Sequence, residues 1–264
     1  MATREAIAAG SFYPAKAEEI KKQIAGFLAK AGKQEKAECV IAPHAGYIYS
    51  GQTAAYSFKA LKESKCFVIL GPNHTGLGSP ISVSDADFWQ TPLGKVPVNK
   101  GLRKKLLKKL GIQADGLAHL QEHSIEVLLP FLQHQYKDFA ILPVSVGEHR
   151  ISGLERLGKA LEELGQGFSL VVSSDFTHNQ PLEMAKEKDM KAISLIEKMD
   201  AKAFQEMVLR QRLTICGFAP ITAAMFYCKK KGLKKGKLLS YDTSATALGD
   251  KASVVGYASI AFCP

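Results

Sequence analysis

Three apolar runs in this chain each end in a cluster of polar, chemically capable residues, the first two with glycine and proline among them. They are Glu38 to Ala42, leading into Pro43-His44-Ala45-Gly46-Tyr47; Cys66 to Leu70, leading into Gly71-Pro72-Asn73-His74; and Ser169 to Ser173, leading into Ser174-Asp175-Phe176-Thr177-His178. Short, continuous apolar runs bounded by turn residues mark strands buried on both faces, and such strands belong to sheets covered by helices on either side. Between the first two lies a helical segment of small residues, Gln52 to Leu61, so the three pieces read as a βαβ unit with parallel strands.

The alternation continues along the chain. Ala15 to Ala31 places Ile20, Ile24, Phe27 and Leu28 on one helical face. Pro80 to Val98 is β-prone and broken at Gln90-Thr91-Pro92-Leu93-Gly94, which predicts a hairpin excursion before a helix over Lys100 to Leu110. Ser124 to Tyr136 carries an apolar face in which Pro130 is expected to kink or break the helix. Then follow a strand over Phe139 to Val144, a helix over Ser152 to Leu164, helices over Glu183 to Lys198, Ala201 to Arg210 and Ala219 to Lys231, and closing strands over Lys237 to Tyr241 and Ser253 to Phe262. With no repeat, linker or low-complexity segment in 264 residues, the expectation is an α/β chain. It is read as one domain over residues 1–264, a three-layer α/β/α sandwich with a mostly parallel central sheet.

Composition enters where it excludes. At 46% hydrophobic and 23% charged residues the chain is neither disordered nor fibrous. The N-terminal MATREAIAAGSFYPA has no apolar stretch long enough for a secretory leader, and the longest uncharged run, Cys39 to Phe58, is interrupted by Pro43, His44, Gly46 and Gln52, so neither a leader nor a membrane span is expected. Five cysteines without a CxxC pair argue for a reducing compartment, and the expected location is the cytoplasm. The net charge of +10 gathers in lysine runs such as Lys229-Lys230-Lys231, which no aromatic residues interleave. They read as a solvated face, and nucleic acid is not an expected partner.

In α/β sheets ligands bind beyond the carboxyl ends of the strands. If the three strands are parallel neighbours, His44, His74, Asp175 and His178 converge there. A pair of neutral imidazoles suits a transition metal, which then needs a third ligand. Cys216-Gly217 precedes the helix near Ala219, where a helix N-terminus lowers a thiol's pKa; ligand, nucleophile and small buried hydrophobe all remain open for Cys216. A helical turn at Asp175-x-x-His178 would bring both side chains together, with His178 as a candidate general base. His123, beside Ser124 at a plausible helix start, reads as a capping or surface residue, and His119, His134 and His149 read as surface residues.

Six ordered motifs give the chain a resemblance: Gly10-Ser11-Phe12-Tyr13, Ala42-Pro43-His44-Ala45-Gly46-Tyr47, Leu70-Gly71-Pro72-Asn73-His74, Glu122-His123-Ser124-Ile125-Glu126, Ser173-Ser174-Asp175-Phe176-Thr177-His178 and Ile215-Cys216-Gly217. Over nearly its whole length it resembles the Memo family, called system protein B of the AmmeMemoRadiSam set in prokaryotes. That family looks similar to the class III extradiol, LigB-type dioxygenases, non-haem iron enzymes. The resemblance implies a metal site at His44, His74 and Cys216, holding an iron or copper ion, in an oxidoreductase of dioxygenase-like build. His178, Asp175 and His123 stand at the catalytic positions it implies, and Phe12, Tyr49 and Asn73 at the substrate-binding ones. Implied partners are a small molecule, or a phosphorylated or carboxylate ligand, in the pocket, and a radical SAM enzyme with an AMMECR-type protein. A non-catalytic binding module using the same pocket is the alternative.

Overall fold

The computed structural model describes residues 1–263. In chain order the elements begin β1 (Thr3–Arg4), α1 (Ala17–Lys30), β2 (Cys39–Ala42), α2 (Tyr47–Ala60), β3 (Cys66–Pro72), β4 (Ile81–Val83), β5 (Phe88–Thr91), β6 (Gly94–Pro97), α3 (Lys100–Leu110) and α4 (Leu129–Gln135). They continue with β7 (Ala140–Val146), α5 (Ile151–Glu162), β8 (Ser169–Ser173), β9 (His178–Gln180), α6 (Leu182–Glu197), α7 (Ala201–Arg210), α8 (Phe218–Lys230), β10 (Lys235–Thr243), α9 (Ala245–Leu248) and β11 (Val254–Cys263).

The central strands are apolar throughout because both faces are buried. Successive side chains point to opposite faces, so Ile41, Leu70, Val144 and Val172 enter one core while Val40, Ile69, Ile141 and Val171 enter the other. Helices α1, α2 and α4 cover the second core with Ile20, Ala54 and Phe131. Helices α3, α5, α6, α7 and α8 cover the first with Leu106, Leu157, Ile193, Phe204 and Ile221. This is the three-layer α/β/α arrangement.

The strand order is β10-β11-β2-β8-β3-β7-β4, with β9 pairing to β11 off this path. β2, β8, β3 and β7 are mutually parallel, whereas β10, β11 and β4 run antiparallel to their neighbours. The sheet is therefore mixed, with a parallel centre and antiparallel flanks. β2 and β3 are parallel as expected but not adjacent: β8 lies between them, with Val172 opposite both Ile41 and Leu70. The expected hairpin is β5–β6, which joins β1 in a separate three-stranded sheet, while β4 goes to the edge of the main sheet.

Pro130 does not kink a long helix. It sits in the first turn of α4, behind a 3₁₀ turn at Glu126–Leu128, where the missing N–H leaves no intrahelical bond unmade. His119 is also placed differently from the sequence reading. It is buried, edge-on to Trp89 at 5.6 Å, with Nε2 3.1 Å from the Ser82 carbonyl, because the Leu117–His119 turn folds inward under Arg4. His134 and His149 are exposed, as expected.

One buried carboxylate fastens the N-terminal residues to this frame. Glu126 pairs with Arg4 and accepts from Ile7 N (2.9 Å), Ala8 N (2.9 Å) and Tyr13 Oη (2.6 Å). Arg4, itself buried, also donates to the carbonyls of His119 and Glu122 and lies over the Trp89 ring at 4.6 Å.

Candidate metal centre

Because β2, β8 and β3 are neighbouring parallel strands, their carboxyl ends open at one edge of the sheet. His44, Asp175 and His74 each stand two residues beyond the end of their strand. Asp175 Oδ1 accepts from the backbone N–H of His44 (2.8 Å) and Ala45 (3.3 Å), tying the loop after β2 to that after β8. Cys216 arrives from the turn before α8. Gly217 makes this possible, since a Cβ there would fall 2.4 Å from Ser174 Cβ and 2.5 Å from the Ser173 carbonyl.

The sulfur of Cys216 lies 3.4 Å from His44 Nε2, and one donor atom each from His44, His74 and Cys216 lie within 4.8 Å of one another. Behind the donors are polar partners: His44 Nδ1 is 2.7 Å from Ser173 Oγ, and His74 Nδ1 is 2.9 Å from Glu122 Oε1. His74, Glu122 and His123 also fall close together. However, the Glu122 carboxylate already accepts from His74 N, His74 Nδ1 and Ser124 N at 2.6, 2.9 and 2.9 Å. We therefore read that second group as a hydrogen-bonded support for His74.

In front of the donors lies an open cleft of about 480 Å³. Phe12, Tyr49, His123, Asp175 and His178 reach it. Phe12 stacks on His123 (centroids 4.3 Å apart), which stacks on His74 (4.8 Å), so His123 forms part of the wall between the N-terminal segment and the donor cluster. Asn73 is not brought there; its amide bonds to Leu77 O, Thr75 Oγ1 and Gly76 N within its own loop. Residues 174–177 make no helical turn, and His178 sits in β9, with its N–H on Thr214 Oγ1 (2.7 Å) and Nδ1 on the Thr214 carbonyl (2.8 Å). Asp175 thus does not orient His178, although both face the cleft.

Burial and neighbours tune these groups. Burial, reinforced by His74 and His123, holds His44 well below the usual imidazole range, so it is neutral. Burial opposes protonation of His74, but its hydrogen bond to Glu122 and that carboxylate's charge outweigh this and raise it. Burial would lift Glu122, yet the bonds from His74 and Ser124 hold it down to about 2. Burial pushes Asp175 up. Cys216 is raised as well, by burial and then by Asp175, so the lowering expected from a helix N-terminus is overridden while the thiol has no cation beside it.

Sequence reasoning missed Glu122, Ser173 and Thr214. Glu122 and Ser173 lay inside motifs already noted, but a strand-terminal serine and an acid beside a histidine carry no signal of what they touch. Thr214 carries none at all.

A family model described as Memo-like protein matches residues 4–261. A MEMO1 family protein of Methanopyrus kandleri is 40% identical over 98% of this chain and 98% of its own. One from Methanosarcina mazei is 40% identical over 98% and 99%, and one from Aquifex aeolicus 38% over 99% and 100%. Among solved structures, an uncharacterized protein of Escherichia coli K12 shares the fold at a TM-score of 0.58 with 12% identity, covering 84% of this chain and 98% of that one.

Proposed function

The chain belongs to the Memo family, and on that premise we propose that it is a metal-binding protein whose iron or copper ion, held by His44, His74 and Cys216, serves a redox reaction in the adjoining cleft. The observation that carries this reading is the meeting of two imidazoles and one thiol from three separate segments, with their donor atoms within 4.8 Å. Two nitrogens and a sulfur form a donor set that suits iron and copper and would leave coordination positions open toward the cleft. Bound there, the ion would supply electron transfer and polarisation of a coordinated oxygen.

The chain's own groups account for the remaining roles. His178 gives its Nδ1 proton to the Thr214 carbonyl, a pure acceptor, which leaves Nε2 free to take a proton from a bound ligand. Asp175 holds the loop that carries His44 and, through its backbone N–H, donates to the Cys216 sulfur at 3.2 Å. Phe12, Tyr49 and the stacked His123 present flat surfaces to whatever occupies the cleft. Among the described residues that line it none is Lys or Arg, so a phosphorylated or carboxylate ligand would meet the Asp175 carboxylate with only imidazoles to balance it. This favours the metal-dependent reading over an anion-binding module.

The test is elemental analysis of anaerobically purified wild type beside Cys216→Ser and His74→Ala. Near-stoichiometric iron or copper in the wild type, lost in both variants, is expected. A wild type that stays metal-free after anaerobic reconstitution, or a His74→Ala variant that keeps its full complement, overturns the assignment.

A further inference from the structure

Resting on the metal site proposed above, we infer that the segment Glu122–Ser124 is a positioning unit that fixes both histidines in the tautomer protonated on Nδ1, so that both Nε2 lone pairs face the ion. Two hydrogen-bond chains start from this segment. The first is direct: the Glu122 carboxylate accepts from His74 Nδ1 at 2.9 Å, and because an ionised carboxylate is acceptor only, the ring must carry its proton on Nδ1.

The second passes through one hydroxyl. Ser173 Oγ lies 2.6 Å from the Ser124 carbonyl and 2.7 Å from His44 Nδ1. A carbonyl accepts only, so the single hydroxyl proton of Ser173 is committed to Ser124. Toward His44 that oxygen can then only accept, which places the His44 proton on Nδ1 and leaves Nε2, 3.4 Å from the Cys216 sulfur, bare.

The two chains are mechanically joined. Ser124 N–H donates to the same Glu122 oxygen that takes the His74 proton, so the backbone that orders the carboxylate also sets the carbonyl that orders Ser173. Glycine at position 71 lets this segment approach: a Cβ there would lie 2.7 Å from Ser124 Oγ and 2.7 Å from Ile125 Cγ1. Glu122, Ser124 and Ser173 are all buried, so water does not compete for these bonds. Partners of this kind orient metal-binding histidines and raise their basicity, and their loss typically weakens metal binding by about 10- to 100-fold.

The primary test needs no ion and no variant. Two-bond proton–nitrogen spectra of the metal-free wild type, recorded where both rings are neutral, are expected to show His44 and His74 as Nδ1–H tautomers. Finding either as the Nε2–H form overturns the proposal. Glu122→Ala is expected to release His74 into a tautomer mixture, and Ser173→Ala to release His44 while His74 stays Nδ1–H. Spectra unchanged in both folded variants overturn it equally. Cobalt(II) titrations, followed through thiolate absorption, should then weaken by about 10- to 100-fold in each variant. A wild type that shows the Nδ1–H tautomers but takes up no cobalt defeats the metal reading and leaves the tautomer assignment standing. Cobalt binding of equal strength in wild type and both folded variants defeats the positioning role and leaves the metal reading standing.

Discussion

Replacing Glu126 by Gln keeps the shape of the side chain and removes its charge, which isolates what that carboxylate does. Its two oxygens meet four donors: Arg4, Ile7 N–H, Ala8 N–H and the Tyr13 hydroxyl. A glutamine offers one acceptor oxygen and an amide nitrogen that must face donors. Tyr13 can turn its hydroxyl to accept from the new amide, but one backbone N–H loses its partner, at about 1–3 kcal/mol. The larger loss is electrostatic. Arg4 is only 4% exposed, and its other partners are carbonyls and the Trp89 face, so no second carboxylate takes over. Breaking a buried pair on one side costs about 3–5 kcal/mol, which in a chain of this length lowers Tm by on the order of 10 °C. The assay is a thermal melt of wild type, Glu126→Gln, Arg4→Met and the double variant. If the stranded guanidinium is the main cause, Glu126→Gln should cost far less in the Arg4→Met background, or even stabilise it, because there the change also removes a buried carboxylate left without its cation. A Glu126→Gln protein within 1 kcal/mol (a rough limit of significance) of wild type, or one equally destabilised with and without Arg4, would refute this reasoning.

Other consequences can be checked separately. His119 is held near pKa 4 by burial, against an unfolded value near 6.5, so its neutral form stabilises the fold fully above pH ~6.5, and that contribution falls as pH drops toward ~4, by about 3 kcal/mol in all. Urea unfolding across this window should show a shallower pH slope in His119→Gln than in wild type, and an unchanged slope would rule the group out. Gly158→Ala in α5 sets a helix-propensity gain of about 1 kcal/mol against a Cβ placed 2.6 Å from the Ala223 carbonyl of α8. The clash should win, for a net loss of about 1–3 kcal/mol, and a stabilised variant would show that the two helices can part. Gly217→Ala pushes against Ser174 and must move Cys216, so cobalt affinity should fall even in protein that still melts cooperatively, and retained affinity would mean that the turn gives way elsewhere.

The alternation of apolar runs and amphipathic helices made the layers and the parallel centre legible, because both follow from local period and from burial on two faces. Strand order was not legible. Nothing near Ile41 or Leu70 shows that Val172, over a hundred positions away, lies between them. His44, His74 and Asp175 could be singled out because each shortly follows an apolar run, and Cys216 because it precedes Gly217 at a helix start. His119 was misread because nothing in the local sequence Leu117-Ala118-His119-Leu120-Gln121 shows that its neighbours in space are Trp89 and Arg4. The Cys216 pKa was misjudged for a related reason: the helix start is visible in sequence, whereas the burial and the Asp175 carboxylate that outweigh it are not.

The antiparallel flanks of the main sheet bear on how copies of this chain behave at high concentration. A sheet edge is an open template for a neighbour's backbone, and proteins blunt such templates with short strands, bulges and lysines. One edge here is β4, only three residues long. The other, β10, carries Lys235 and Lys237 and shifts register between Leu238 and Ser240. Strand-to-strand polymerisation through the main sheet is thus opposed at both of its ends.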